Sequence, residues 1–163
     1  MVETSEDISF NNDTMAKLEK LSQKKIYFGH QSVGFNILDG ISDLMKENQQ
    51  LRLNIIESTD KVDFIKGNFM HSRLGKNSDP QSKIEAFEEI IDNGIGKEVD
   101  IAFLKFCFVD IRPETDVRKV FESYSSTIKK LQMKYPDVTF VHVAVPLGTT
   151  ITTWKTRMKI LMG

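Results

Sequence analysis

Val99-Asp100-Ile101-Ala102-Phe103-Leu104-Lys105-Phe106-Cys107-Phe108-Val109 is the stretch that most narrows the fold. A strand with one face in water alternates apolar and polar residues, whereas a strand covered on both faces reads as a nearly unbroken apolar run. Only Asp100 and Lys105 interrupt this one. It is therefore expected to be a central strand of a parallel sheet with helices on both sides, and Asp110 follows at its carboxyl end. Val138 to Val145 reads as a second buried strand, ended by Pro146.

The other elements follow from changes of period. Ile26-Tyr27-Phe28 is β-prone and is expected to halt at Gly29. Apolar positions then switch to helical spacing at Val33, Ile37, Leu38, Ile41, Leu44 and Met45, so a strand feeds a helix across a tight turn. Gly29 is expected to free the backbone there, and Gly34 to let the helix start lie close to a neighbour. Met15, Leu18 and Leu21 predict a short lead-in helix, so 1–23 is set apart as a polar segment and 24–163 as one domain. Leu51-Arg52-Leu53-Asn54-Ile55 alternates and predicts an edge strand. From Glu57 to Pro80 no period is visible, which in a compact domain marks a functional or disordered stretch.

Asp79-Pro80 then reads as an N-cap followed by proline at the first helical position, with Ile84, Phe87 and Ile91 on the buried face. A further helix is expected from Thr115-Asp116, stopped by Tyr135-Pro136, and a last one carries Trp154, Met158 and Leu161. Numbering the four predicted strands along the chain, one edge strand and two central ones fit the order 2-1-3-4. That order puts the topological switch point between the first and third strands, where α/β sheets bind ligands. Ser32 and Asp110 would flank the same crevice.

Composition excludes several function classes. The chain has 163 residues, a net charge of −1, and neither a basic block nor basic residues interleaved with aromatics, so no nucleic-acid partner is expected. No apolar run reaches membrane-spanning length. One cysteine and three scattered histidines make no metal signature, and neither metal nor cofactor is expected. Residues 1–13 lack the apolar core of a signal peptide, so a soluble protein is expected, cytoplasmic or secreted after cleavage.

Ser32 stands at the start of the first long helix, where free N–H groups and the helix dipole favour negative charge. A serine there is commonly only an N-cap. It could also attack an ester, because the oxyanion formed would meet backbone donors. The shared crevice with Asp110 favours the functional reading. His30, two residues away, is either a local base or a turn residue bonding nearby backbone. His142 is expected to be a hydrogen-bonded core histidine, His71 an exposed loop residue and Cys107 a small hydrophobe. Asp110 would orient a base or cap the approach to the next helix.

Phe28-Gly29-His30-Gln31-Ser32-Val33-Gly34, Gly75-Lys76-Asn77, Lys105-Phe106-Cys107-Phe108-Val109-Asp110 and Val141-His142-Val143-Ala144-Val145-Pro146-Leu147 occur in an order that resembles the GDSL/SGNH hydrolases. The closest likeness is to a divergent branch whose nucleophile motif reads Gly-His-x-Ser-Val-Gly. The resemblance covers roughly residues 24–160 through short motifs. It implies a three-layer α/β/α flavodoxin-like fold and hydrolysis of acyl esters, including acetyl groups on carbohydrate. It implies Ser32 as nucleophile with its own N–H as oxyanion donor, Gly75 as a second donor and Asn77 as a contributor.

Two departures stand against that pattern. The family's asparagine donor after the third strand is replaced by Val109-Asp110. Its Asp-x-x-His follows a fifth strand, whereas residues 147–163 contain no Asp, Glu or His. A missing fifth strand and a truncated or degenerate hydrolase are the resulting expectations. The bare rim of the fourth strand then predicts self-association as a homodimer. The alternative is a non-catalytic domain binding carbohydrate or a partner through the same crevice. A phosphate-cradling flavodoxin-like module fits poorly, since the turn lacks Gly-x-x-x-x-Gly-Lys-Ser/Thr spacing.

Overall fold

The computed structural model of the chain describes residues 12–59 and 68–145. Its elements are α1 (Asn12–Ser22), β1 (Ile26–His30), α2 (Val33–Glu47), β2 (Asn54–Glu57), β3 (Asn68–Arg73), α3 (Pro80–Asp92), β4 (Ile101–Leu104), α4 (Val117–Lys134) and β5 (Thr139–Phe140). The strands form one parallel sheet in the order β2-β3-β1-β4-β5. On one face Ile26, Phe28 and Phe69 pack with Leu38 of α2 and Leu21 of α1. On the other, Tyr27, Met70 and Ala102 pack with Ile84 and Phe87 of α3 and Leu131 of α4. The result is the expected three-layer, flavodoxin-like α/β architecture. Each such large apolar side chain contributes about 1.5–3 kcal/mol when fully buried.

The order 2-1-3-4 needs one correction, because β3 inserts between the predicted second and first strands. Phe69, Met70, His71 and Ser72 are all buried, so the segment shows neither alternation nor an apolar run. Its polar members find partners instead: Ser72 Oγ lies 2.6 Å from Tyr27 Oη, and His71 meets His30. With β3 the described sheet has five strands, and the strand expected to be missing after Val145 lies outside the described residues. The remaining order holds, and β1 pairs with β4 in parallel.

Several strand bounds also shift. β1 runs through Gly29, whose φ is not positive. Glycine is required there because a Cβ would overlap the Leu74 side chain. β4 ends at Leu104, and the Lys105 N–H makes one more ladder bond, to the Gly29 carbonyl at 2.9 Å. The chain then leaves the sheet in a 3-10 turn, Phe108–Asp110. Residues 105–109 therefore lead away from the sheet rather than continuing the expected strand. β5 is similarly short, with Val141 N–H bonding the Ala102 carbonyl just beyond it. β2 lies at the edge, as expected, but starts at Asn54 because Leu51 is buried in the turn before it.

The Asp79 N-cap accepts from Ser82 N–H, and Pro80 follows it, as the sequence predicts. Asp116 caps α4 in the same way through Lys119 N–H. Among the described residues no helix is long and apolar enough to cross a membrane. The expected last helix, with Trp154, lies outside the described residues.

Candidate functional site

The carboxyl ends of β3, β1 and β4 lie side by side, and the segments leaving them carry the candidate residues. Ser32 is the N-cap position of α2, yet its hydroxyl makes no capping hydrogen bond. Its side chain is exposed, and its own N–H has no partner among the described residues. The turn is closed by backbone instead, with Gly34 N–H reaching the Gln31 carbonyl at 2.6 Å. Gly34 packs so closely on the His30 ring that any Cβ would overlap it. This is the close approach expected for that glycine.

The loop after β3 is fastened to this turn. Gln31 Nε2 donates to the carbonyls of Leu74 and Gly75, both at 2.9 Å. Gly75 has φ +50°, and a Cβ there would lie 2.6 Å from Lys83 N. Its carbonyl is thus held toward Gln31, and its N–H has no partner among the described residues. Asn77 Oδ1 accepts from Lys83 Nζ at 3.2 Å, which orients its amide and leaves Nδ2 as a donor. Ser32 and the loop carrying Gly75 and Asn77 therefore lie on adjoining segments at the carboxyl end of the sheet.

Asp110 anchors the same loop from the other side. Its carboxylate accepts from Lys83 Nζ at 2.6 Å, Cys107 N–H at 2.7 Å and Ser78 N–H at 2.9 Å. Both side chains of the ion pair are buried. Ser78 is held at φ +66°, a conformation that costs roughly 1–3 kcal/mol and needs such anchoring. Arg112 Nη2 adds a bond to Ser78 Oγ at 2.6 Å. Of the two roles expected for Asp110, orienting a histidine finds no contact among the described residues. The carboxylate instead closes a turn and pins a loop.

His30 is buried and both ring nitrogens are occupied. Nδ1 lies 2.9 Å from the Gln31 carbonyl, and Nε2 lies 3.0 Å from His71 Nδ1. A carbonyl only accepts, so His30 carries its proton on Nδ1, and neutral His30 then accepts from His71 Nδ1–H. Burial, above all, holds both pKa values below the ordinary histidine value; Glu57 opposes this in each, while Lys105 and Arg73 reinforce it at His30. His30 is the last residue of β1, its ring bonds the Gln31 backbone and His71, and no hydrogen bond joins it to Ser32 among the described residues.

His71 and His142 reverse their expected surroundings. His71 is a buried β3 residue, not an exposed loop residue. His142 is exposed, because β5 ends before it, and its Nδ1 lies 2.9 Å from Tyr124 Oη. It borders an apolar groove of about 430 Å³ lined by Phe106, Ile111, Val120, Phe121 and Val143. Cys107 is buried, as expected.

Lys105 is also buried, and its ammonium makes a single hydrogen bond, to the Phe106 carbonyl at 3.3 Å. No carboxylate lies within ion-pair distance among the described residues. Sequence reasoning did not assign roles to Gln31, Lys83 or Lys105. Lys105 left a signal nonetheless, as a charge inside a run that must be buried on both faces. Among the described residues no group of three His, Cys, Asp or Glu could hold a metal ion. No protein-family model, curated protein or solved structure gives a significant match to the chain.

Proposed function

We propose that the protein is a serine-dependent ester hydrolase of the SGNH kind, acting on acyl esters such as acetyl groups on carbohydrate. The observation that carries this reading is Ser32 itself: an exposed hydroxyl with no capping bond, at the start of a 15-residue helix and at the carboxyl edge of the sheet. In the proposed reaction Ser32 Oγ attacks the ester carbonyl carbon and passes its proton to solvent water, which its exposed hydroxyl meets. The oxyanion is met by the N–H groups of Ser32 and Gly75 and by Asn77 Nδ2. The alkoxide leaves with a proton, and water releases the acid from the acyl-serine. His30 and Asp110 hold the turn and the loop in place.

No base is hydrogen-bonded to Ser32 among the described residues, so slow turnover is part of the proposal. Donors and binding alone sustain ~10³–10⁴-fold acceleration over water in serine hydrolases. The occupied nitrogens of His30 favour one alternative, a non-catalytic domain that binds carbohydrate or a partner in the same crevice. A fluorophosphonate probe separates the two. Labelling of the wild-type chain that disappears in Ser32→Ala supports the hydrolase. A chain that stays unlabelled and leaves aryl acetates intact supports the binding domain.

A further inference from the structure

Two lysines are buried near these segments, and among the described residues only one of them meets a carboxylate. Lys83 Nζ lies 2.6 Å from Asp110, whereas Lys105, 7% exposed, bonds among the described residues only to the Phe106 carbonyl. An unpaired buried ammonium costs several kcal/mol, so a protein keeps one chiefly where a counter-charge arrives.

Register places the ammonium. Lys105 N–H bonds the Gly29 carbonyl, which sets Lys105 beside His30 on the neighbouring strand. Phe28 stacks with both His30 and Phe103 at 4.8 Å, so positions 28, 30 and 103 share the sheet face that carries α2. Alternation puts Lys105 on that face as well. The His30 ring lies under the first turn of α2 against Gly34. Lys105 therefore shares a sheet face with His30, whose ring packs under the first turn of α2, where the Ser32 N–H is unpartnered among the described residues.

We propose that Lys105 and the first turn of α2 form a binding site for a small oxyanion, a carboxylate or phosphate group. The substrate class this implies is an ester bearing an acid group near its scissile bond. That last step rests on the Ser32 reading; the anion site does not. A charged donor and a helix terminus acting together bind such groups through charge-assisted hydrogen bonds.

The test uses the full chain with inorganic phosphate or acetate, titrated against chloride at constant ionic strength. The wild-type unfolding midpoint should rise with the logarithm of phosphate concentration. Lys105→Met should bind phosphate at least ~10-fold more weakly while unfolding at an equal or higher temperature without it, since an apolar isostere removes an uncompensated charge. Lys105→Arg should keep part of the response. No wild-type response to either anion overturns the proposal. So does a Lys105→Met chain that responds normally, or one that is destabilised or unfolded, because Lys105 would then be a structural partner. Competition between phosphate and an acid-bearing aryl ester places the group on the substrate; no competition leaves a free inorganic anion. Phosphate binding without fluorophosphonate labelling removes the hydrolase reading and leaves the site standing.

Discussion

His30 Nε2 and His71 Nδ1 lie 3.0 Å apart in the buried layer beneath the first turn of α2. With His30 Nδ1 committed to the Gln31 carbonyl, the pair forms a directed chain of hydrogen bonds, from His71 through His30 to the turn before α2. Both rings are held neutral by burial.

The first prediction follows from that neutrality. Both folded pKa values lie below the unfolded histidine value of 6.5. The unfolded chain thus binds more protons as pH falls through that value, and stability drops with it. The loss begins near pH 6.5 and continues downward until the folded-state values are reached. Thermal unfolding from pH 8 to pH 5 should show this fall, and His71→Phe should flatten part of it. An unfolding midpoint independent of pH in this window would remove the neutral pair.

Much of the architecture was legible because burial writes itself into periodicity. The Val99–Val109 run announced a central strand, and the capping residues Asp79 and Asp116 announced two helices. β3 was hidden for the same physical reason: His71 and Ser72 are polar residues buried through hydrogen bonds, which removes the period-2 signal. The Ser32 turn could be read from its glycines, but the loop that faces it could not. Its position depends on Asp110 meeting Lys83 across 27 residues of sequence, and no local pattern encodes that pairing.

The second prediction concerns that ion pair. Removing one partner leaves the other charge buried, at a cost of about 3–5 kcal/mol. Asp110→Asn and Lys83→Met should each lose stability on that scale in urea unfolding. The double variant should lose clearly less than the two together, since the residues share one network. Strict additivity would mean the two groups do not depend on each other. Asp110→Asn should also slow any labelling of Ser32, because the Gly75–Ser78 loop loses its anchor.

Gly34 and Gly75 support a third. At Gly75 both the positive φ and the 2.6 Å approach to Lys83 N exclude a side chain. At Gly34 the obstacle is the His30 side chain, both its ring and its Cβ. Gly34→Ala should therefore displace His30, break its bond to His71 and cost about 1–3 kcal/mol, as overpacking does. Gly34→Ala combined with His30→Gly should recover part of that loss, because the obstructing side chain is gone. Gly75→Ala should show no such rescue. Equal behaviour of the two glycine variants in the His30→Gly background would contradict the packing.

The fourth prediction separates a cap from a nucleophile at Ser32. A capping serine uses its hydroxyl to satisfy a backbone N–H, and its replacement by alanine typically costs ~1 kcal/mol. Ser32 makes no such bond, so the helix start gains nothing from its oxygen. Asp79 does cap α3 and serves as the internal comparison. Ser32→Ala should leave the unfolding free energy within about 0.5 kcal/mol of wild type, as for a surface change away from such features, while Asp79→Ala loses roughly 1 kcal/mol. Fluorophosphonate labelling should be abolished by Ser32→Ala and retained in Asp79→Ala. A stability loss at Ser32 as large as at Asp79, with labelling unchanged, would make Ser32 a cap and nothing more.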